Sequence, residues 1–161
     1  MIRTLRALAV AAALVAVPGF AQAQTTLGPT VAYHNDFDFG IGAALGLPFG
    51  AAHPNVGFLG DFLIFFPDAP GVDFLEINGN LTYDIPIEDA AVLPFALAGL
   101  NIARISFDSN ALPSNTEIGL NVGGGIKFDA GVFRPMVGIR LEIEGGDGFV
   151  IFGSVPFALG G

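Results

Sequence analysis

Residues Glu117 to Phe128 read EIGLNVGGGIKF, and this stretch decides the fold. Ile118, Leu120, Val122, Ile126 and Phe128 alternate with Glu117, Gly119, Asn121, Gly123, Gly125 and Lys127. That is the period of a β-strand, whose successive side chains point to opposite faces. One face is greasy; the other is glycine, amide and charge. The two faces are made for different surroundings.

Outward from this stretch the pattern recurs. Residues 28–34 put Val31 and Tyr33 on one face. A strand over 37–47 sets Phe37, Phe39, Ile41, Ala43, Leu45 and Leu47 against Asp38, Gly40, Gly42, Ala44 and Gly46. Over 56–66, Val56, Phe58, Phe62 and Ile64 oppose Asp61, though Leu59, Leu63 and Phe65 share its face. Over 74–85, Leu75, Ile77, Leu81, Tyr83 and Ile85 oppose Glu76, Asn78, Asn80, Thr82 and Asp84. The segment 93–107 is long and its alternation does not fix a phase near Gly99, where an isolated glycine is the mark of a bulge. Residues 132–144 and 149–159 alternate again. Most of the segments approach the roughly 9–11 residues of a tilted membrane strand. Clusters of Gly, Pro, Asn and Asp separate them, among them His34-Asn35-Asp36, 48–55, 67–71, 86–91, 108–115, 129–131 and 145–148, as tight turns require.

Composition says which surroundings. Hydrophobic residues make up 52% of the chain and charged ones only 13%, against roughly 25% charged in an ordinary soluble domain. Residues 1–23 read as a cleaved signal peptide: Arg3 and Arg6, an apolar stretch from Ala7 to Val17, and the small-residue site Ala21-Gln22-Ala23 before Gln24. Beyond it the longest apolar run, 90–100, contains Pro94 and is too short for a helical span. In lipid the remaining solution is a closed β-barrel, because every backbone polar group must be paired. The expected domain is therefore a barrel over 24–161. With Arg3 and Arg6 removed, four basic residues face fifteen acidic ones, a formal charge of −11. Such a chain has no basic patch for nucleic acid. The absence of cysteine excludes disulfides and thiolate metal sites.

In a membrane barrel the apolar face meets lipid and the polar face lines the lumen. By phase Lys127, Arg134 and Arg140 point inward, and Arg104 is expected to join them. Glu76, Glu117, Glu142, Asp61 and Asn121 are expected to share that interior. Eight strands enclose only enough room for side chains, and buried charges must be paired. A lumen filled by an ionic network is therefore expected, with the glycines of 37–47 and 117–128 giving space to long side chains. Phe37, Phe58, Phe95, Phe107, Phe128, Phe133, Phe149 and Phe157 lie near strand ends and are expected to form interfacial girdles.

No catalytic residue, metal or cofactor is expected. The two histidines, His34 and His53, fall in predicted turns, and no motif joins His34 to a serine such as Ser106. Gly123 to Gly125 are no phosphate loop, because no helix follows them.

The alternating segments, GLNVGGGIKF (119–128), FRPMVGIRLEI (133–143) and a final amphipathic strand resemble the small eight-stranded outer-membrane β-barrel superfamily, which includes the OmpA-type transmembrane domain and the OmpX and OmpW-like proteins. The resemblance implies an all-β, eight-stranded antiparallel up-and-down barrel in the outer membrane of a Gram-negative-type envelope. Its implied partners are outer-membrane lipid and the outer-membrane assembly machinery, and the chain is expected to be monomeric. A structural role in envelope integrity is expected. The alternative is a narrow channel or carrier for small or hydrophobic solutes, as in OmpW-like proteins. Members often end on an aromatic residue; this chain ends FALGG.

Overall fold

A computed structural model describes residues 25–50, 53–88, 91–107, 113–128, 130, 133–144 and 147–159. The expected signal segment, and the connections at 108–112, 131–132 and 145–146, lie outside these residues.

The strands are β1 (Thr26–His34), β2 (Asp38–Pro48), β3 (Val56–Phe65), β4 (Val72–Asp84), β5 (Val92–Phe107), β6 (Asn115–Phe128), β7 (Met136–Ile143), β8 (Gly148–Ser154) and the short β9 (Phe157–Ala158). Each strand from β1 to β8 pairs antiparallel with the next, and β1 also pairs with β8. The ring is closed and has eight strands in up-and-down order, with β9 a continuation of β8. Closure removes the sheet edges, which is what a lipid-embedded sheet requires.

Two prolines interrupt strands without shifting them. Thr30 faces Ser154 and Leu27 faces Phe157, so the register across Val155-Pro156 inserts no residue. Pro156 has no N–H to donate, and its carbonyl instead accepts from the Arg134 amide at 2.9 Å. Pro135 likewise holds the start of β7 back to Met136, while its carbonyl accepts from Phe128 N at 2.8 Å and Phe133 bridges to Phe157. The predicted strands over 132–144 and 149–159 are thus each broken at a proline. A Cβ on Gly28 would lie 2.5 Å from Pro156 Cα. Glycine is therefore what lets β1 approach the break.

The barrel is apolar outside, and inside it holds polar and charged side chains between apolar layers. Phe39 is 69% exposed and Ile118 66%, whereas Asn121 and Arg140 are each 1% exposed. Ile77, Leu81, Leu120, Val122, Ile139, Leu141 and Ile151 all lie on the outer phase and are about half exposed. A water-soluble barrel has the reverse arrangement. Among the described residues no helix is long and apolar enough to cross a membrane.

Four expectations are corrected here. No bulge occurs at Gly99, because the pairing of β5 with β4 and with β6 keeps one register from end to end. The phase of β5 is then fixed: Phe95, Leu97, Asn101 and Ala103 are buried inside, and Arg104 lies on the outer phase and is exposed. Phe95 (3% exposed) is therefore no girdle residue, and neither is Phe37, which stacks on the buried Phe74 ring with centroids 3.6 Å apart. Phe128, Phe133 and Phe157 are exposed at the terminal rim, where β1 begins and β9 ends, and Phe39, Phe66 and Phe149 at the distal rim. His34, finally, is the last residue of β1 and is fully buried.

Candidate functional site: a charged belt across the lumen

Arg140 sits in mid-β7 on the inner phase, opposite Gly123 of β6. A Cβ on Gly123 would come within 2.7 Å of Arg140 Cα and would run into the Ile139 carbonyl oxygen. The glycine face of β6 is what makes room for the arginine to leave its own wall and cross the lumen.

The guanidinium reaches three carboxylates. Nε donates to Glu142 Oε1 at 2.7 Å, Nη2 to Glu76 Oε2 at 2.9 Å, and Nη1 to both Asp61 oxygens at 3.1 and 3.2 Å. All four side chains are at most 6% exposed. The partners come from β3, β4 and β7, so the belt ties opposite walls together. Arg140 also lies over the Phe152 ring, 5.7 Å from its centroid.

Amides complete the layer. Asn78 Nδ2 donates to Asp61 Oδ1 at 2.9 Å, and Asn121 Nδ2 donates to Asn78 Oδ1 at 2.8 Å and Asn80 Oδ1 at 3.0 Å. Asn101 Nδ2 approaches Glu142 Oε2 at 3.4 Å. Burying a charge is tolerable only where partners replace its water, and these amides and carboxylates are the partners of Arg140 and of one another.

Apolar groups close the belt on both sides. Towards the distal rim the His34 ring lies 4.8 Å from Phe37, 5.8 Å from Phe65 and 5.7 Å from Phe74, measured between centroids. Towards the terminal rim Leu59 and Met136 line the inner wall of a mouth of about 290 Å³.

The other expected network members lie apart from the belt. Lys127 pairs with Asp84 at the terminal mouth and stands 5.1 Å from the centre of the Phe95 ring. Arg134 lines the same mouth and is exposed. Glu117 has the inner phase but lies at the distal end of β6, where it is exposed and accepts from Asn115 Nδ2 at 2.6 Å. Arg104 is on the outside, for the reason of phase given above. The residue that sequence reasoning missed is His34, whose Nε2 faces Glu142 Oε2 at 3.7 Å. The signal was available: Thr30, Ala32 and His34 follow one another by twos on the face opposite Val31 and Tyr33.

The closed eight-strand ring, with apolar residues outside and charged side chains inside, has the architecture of the class of small eight-stranded outer-membrane β-barrels. Solved structures of that class superpose on the chain. The N-terminal β-barrel domain of Pseudomonas aeruginosa OprF matches with TM-score 0.69 and 13% identity, over 86% of this chain and 98% of that one. Neisserial surface protein A gives TM-score 0.63 and 18% identity, over 84% of this chain and 96% of that one. Ail, the attachment invasion locus protein of Yersinia pestis, solved with the heparin analogue sucrose octasulfate, gives 0.52 and 14%, over 84% and 95%. Identities this low carry the fold alone. The sequence matches no protein-family model and no curated protein sequence.

Proposed function

We propose that the chain is a non-enzymatic protein of the outer membrane of a Gram-negative-type envelope, inserted as a monomer by the assembly machinery. Its role is structural, and its lumen is plugged rather than conducting. The observation that carries this reading is the side-chain bridge from Arg140 to Asp61, which runs from one wall of the barrel to the opposite one. A layer of ion pairs capped by aromatic rings leaves the path along the axis to side chains. The outer surface supports the location: aliphatic residues in the middle of the wall, phenylalanines at both rims, in the manner of interfacial girdles. Arg104, on the outer phase near the distal end of β5, is placed to extend its stem along the wall and its guanidinium to the headgroups.

Expression in a Gram-negative host followed by envelope fractionation tests the location. The chain should sediment with the outer membrane and run at different mobilities in unheated and heated detergent gels, as a closed barrel does. Recovery in the soluble periplasmic fraction, with no heat-dependent shift, would contradict it.

A further inference from the structure

We propose that His34, Glu76 and Glu142 form a binding site for one divalent transition-metal ion inside the barrel, between the Arg140 belt and the aromatic cap. One ligand atom from each residue lies within 4.8 Å of the other two, and all three residues are buried. Two candidate ligand atoms on these residues are also unused. His34 Nε2 and Glu76 Oε1 are buried and have no hydrogen-bond partner among the described residues.

The carboxylates are already oriented for this. Glu76 gives Oε2 to Arg140 and Glu142 gives Oε1, so each holds its other oxygen free of the guanidinium. Ligand hydrogen bonds of this kind fix the geometry of metal sites. The 3.7 Å from His34 Nε2 to Glu142 Oε2 is too long for a hydrogen bond. It is close to the separation of about 3.4 Å between two ligand atoms of one tetrahedral zinc.

Charge supplies an independent argument. With Asp61, Glu76 and Glu142 ionised, the belt holds three negative charges against one guanidinium. Lys127 is engaged with Asp84 at the terminal mouth. In a low-dielectric interior that surplus is removed either by protons held on the carboxyls or by a cation, and one dication would balance it in full. One imidazole with two carboxylates suits Zn²⁺ or Co²⁺ better than the all-oxygen ions Ca²⁺ and Mg²⁺.

The structure also says what loading must change. The Asp36 amide donates to His34 Nδ1 at 3.0 Å, which puts the ring proton of a neutral imidazole on Nε2. A metal on Nε2 moves that proton to Nδ1 and breaks the Asp36 contact.

The test uses the whole barrel, refolded in detergent with chelator-treated buffers and Co²⁺ as probe, then gel-filtered. We expect about one Co²⁺ retained per chain with visible d–d absorption, displaced by Zn²⁺, and a shift of the His34 ring nitrogens to the Nδ1–H tautomer. His34→Phe and Glu76→Gln should each lower retention at least tenfold, and His53→Ala should leave it unchanged. Less than a tenth of an equivalent retained by the wild-type chain, or an unchanged His34 tautomer, would overturn the proposal and leave the triangle to a water or a shared proton. Equal retention by His34→Phe would do the same. The wild-type measurement decides even if a variant does not refold.

Discussion

Arg140 on β7 and Asp61 on β3 stand four strands apart in a ring of eight, and their side chains meet at 3.1 Å. A contact between diametrically opposed strands is possible only if the lumen is no wider than an arginine and an aspartate side chain laid end to end. Arg140 is the hub, because Glu76 and Glu142 depend on it for a counter-charge as well.

Arg140→Ala should therefore cost about 3–5 kcal/mol, since it strands buried carboxylates. Unfolding by urea in lipid vesicles measures it. Adding Asp61→Asn should recover part of the loss, because one stranded charge is removed and the two sites are directly coupled. A change below about 0.5 kcal/mol, the scale of ordinary surface substitutions, would place Arg140 in water.

Lys127→Ala makes the contrast. Its pair with Asp84 is at the mouth, with side chains 24% and 22% exposed. Pairs open to solvent are worth about 0–1 kcal/mol. The same titration should show Lys127→Ala several-fold milder than Arg140→Ala; equal losses would mean that the mouth and the belt are one buried network.

How much of this was legible in the sequence depended on contrast between faces. On β4 and β7 the polar and apolar phases are clean, so Glu76, Arg140 and Glu142 could be placed inside by counting in twos. On β5 both faces are apolar: Phe95, Leu97 and Ala103 point in, Leu100 and Ile102 point out. Only Asn101 marks the inner phase, and counting from it would have put Arg104 outside. The apolar inner layers explain the indecision over β3 as well, where Leu59, Leu63 and Phe65 fill the lumen beside Asp61. His34 was read as a turn residue because Asn35 and Asp36 follow it. The expected strand over 28–34 already ends on this residue, and counting on from Thr30 and Ala32 puts it on the inner face. Cross-lumen partners such as Asn121 and Asn78 could not be read at all, because they are set by barrel closure and strand tilt.

Gly123→Leu tests the space argument. The added side chain meets the Ile139 carbonyl and the Arg140 backbone, and overpacking of this sort costs about 1–3 kcal/mol or more. The folded, heat-modifiable fraction should fall. An undiminished yield would mean that β6 and β7 can part without losing the belt.

The outer face has its own test on β6. Val122, mid-strand and 52% exposed, should lose about 2–4 kcal/mol on replacement by arginine, whereas Phe128→Arg at the rim should lose close to none. Single cysteines along 117–128, probed with a lipid-confined quencher, should respond at every second residue. A period near 3.6, or uniform reaction from water, would contradict the strand.

The most direct measurement of the central claim is the conductance of the refolded wild-type barrel in planar lipid bilayers. A lumen bridged by Arg140, Asp61, Glu76 and Glu142 and capped by Phe37, Phe65 and Phe74 should give no large, stable steps. Reproducible porin-sized steps from the wild-type protein would show that the belt does not close the lumen, and would make the chain a channel.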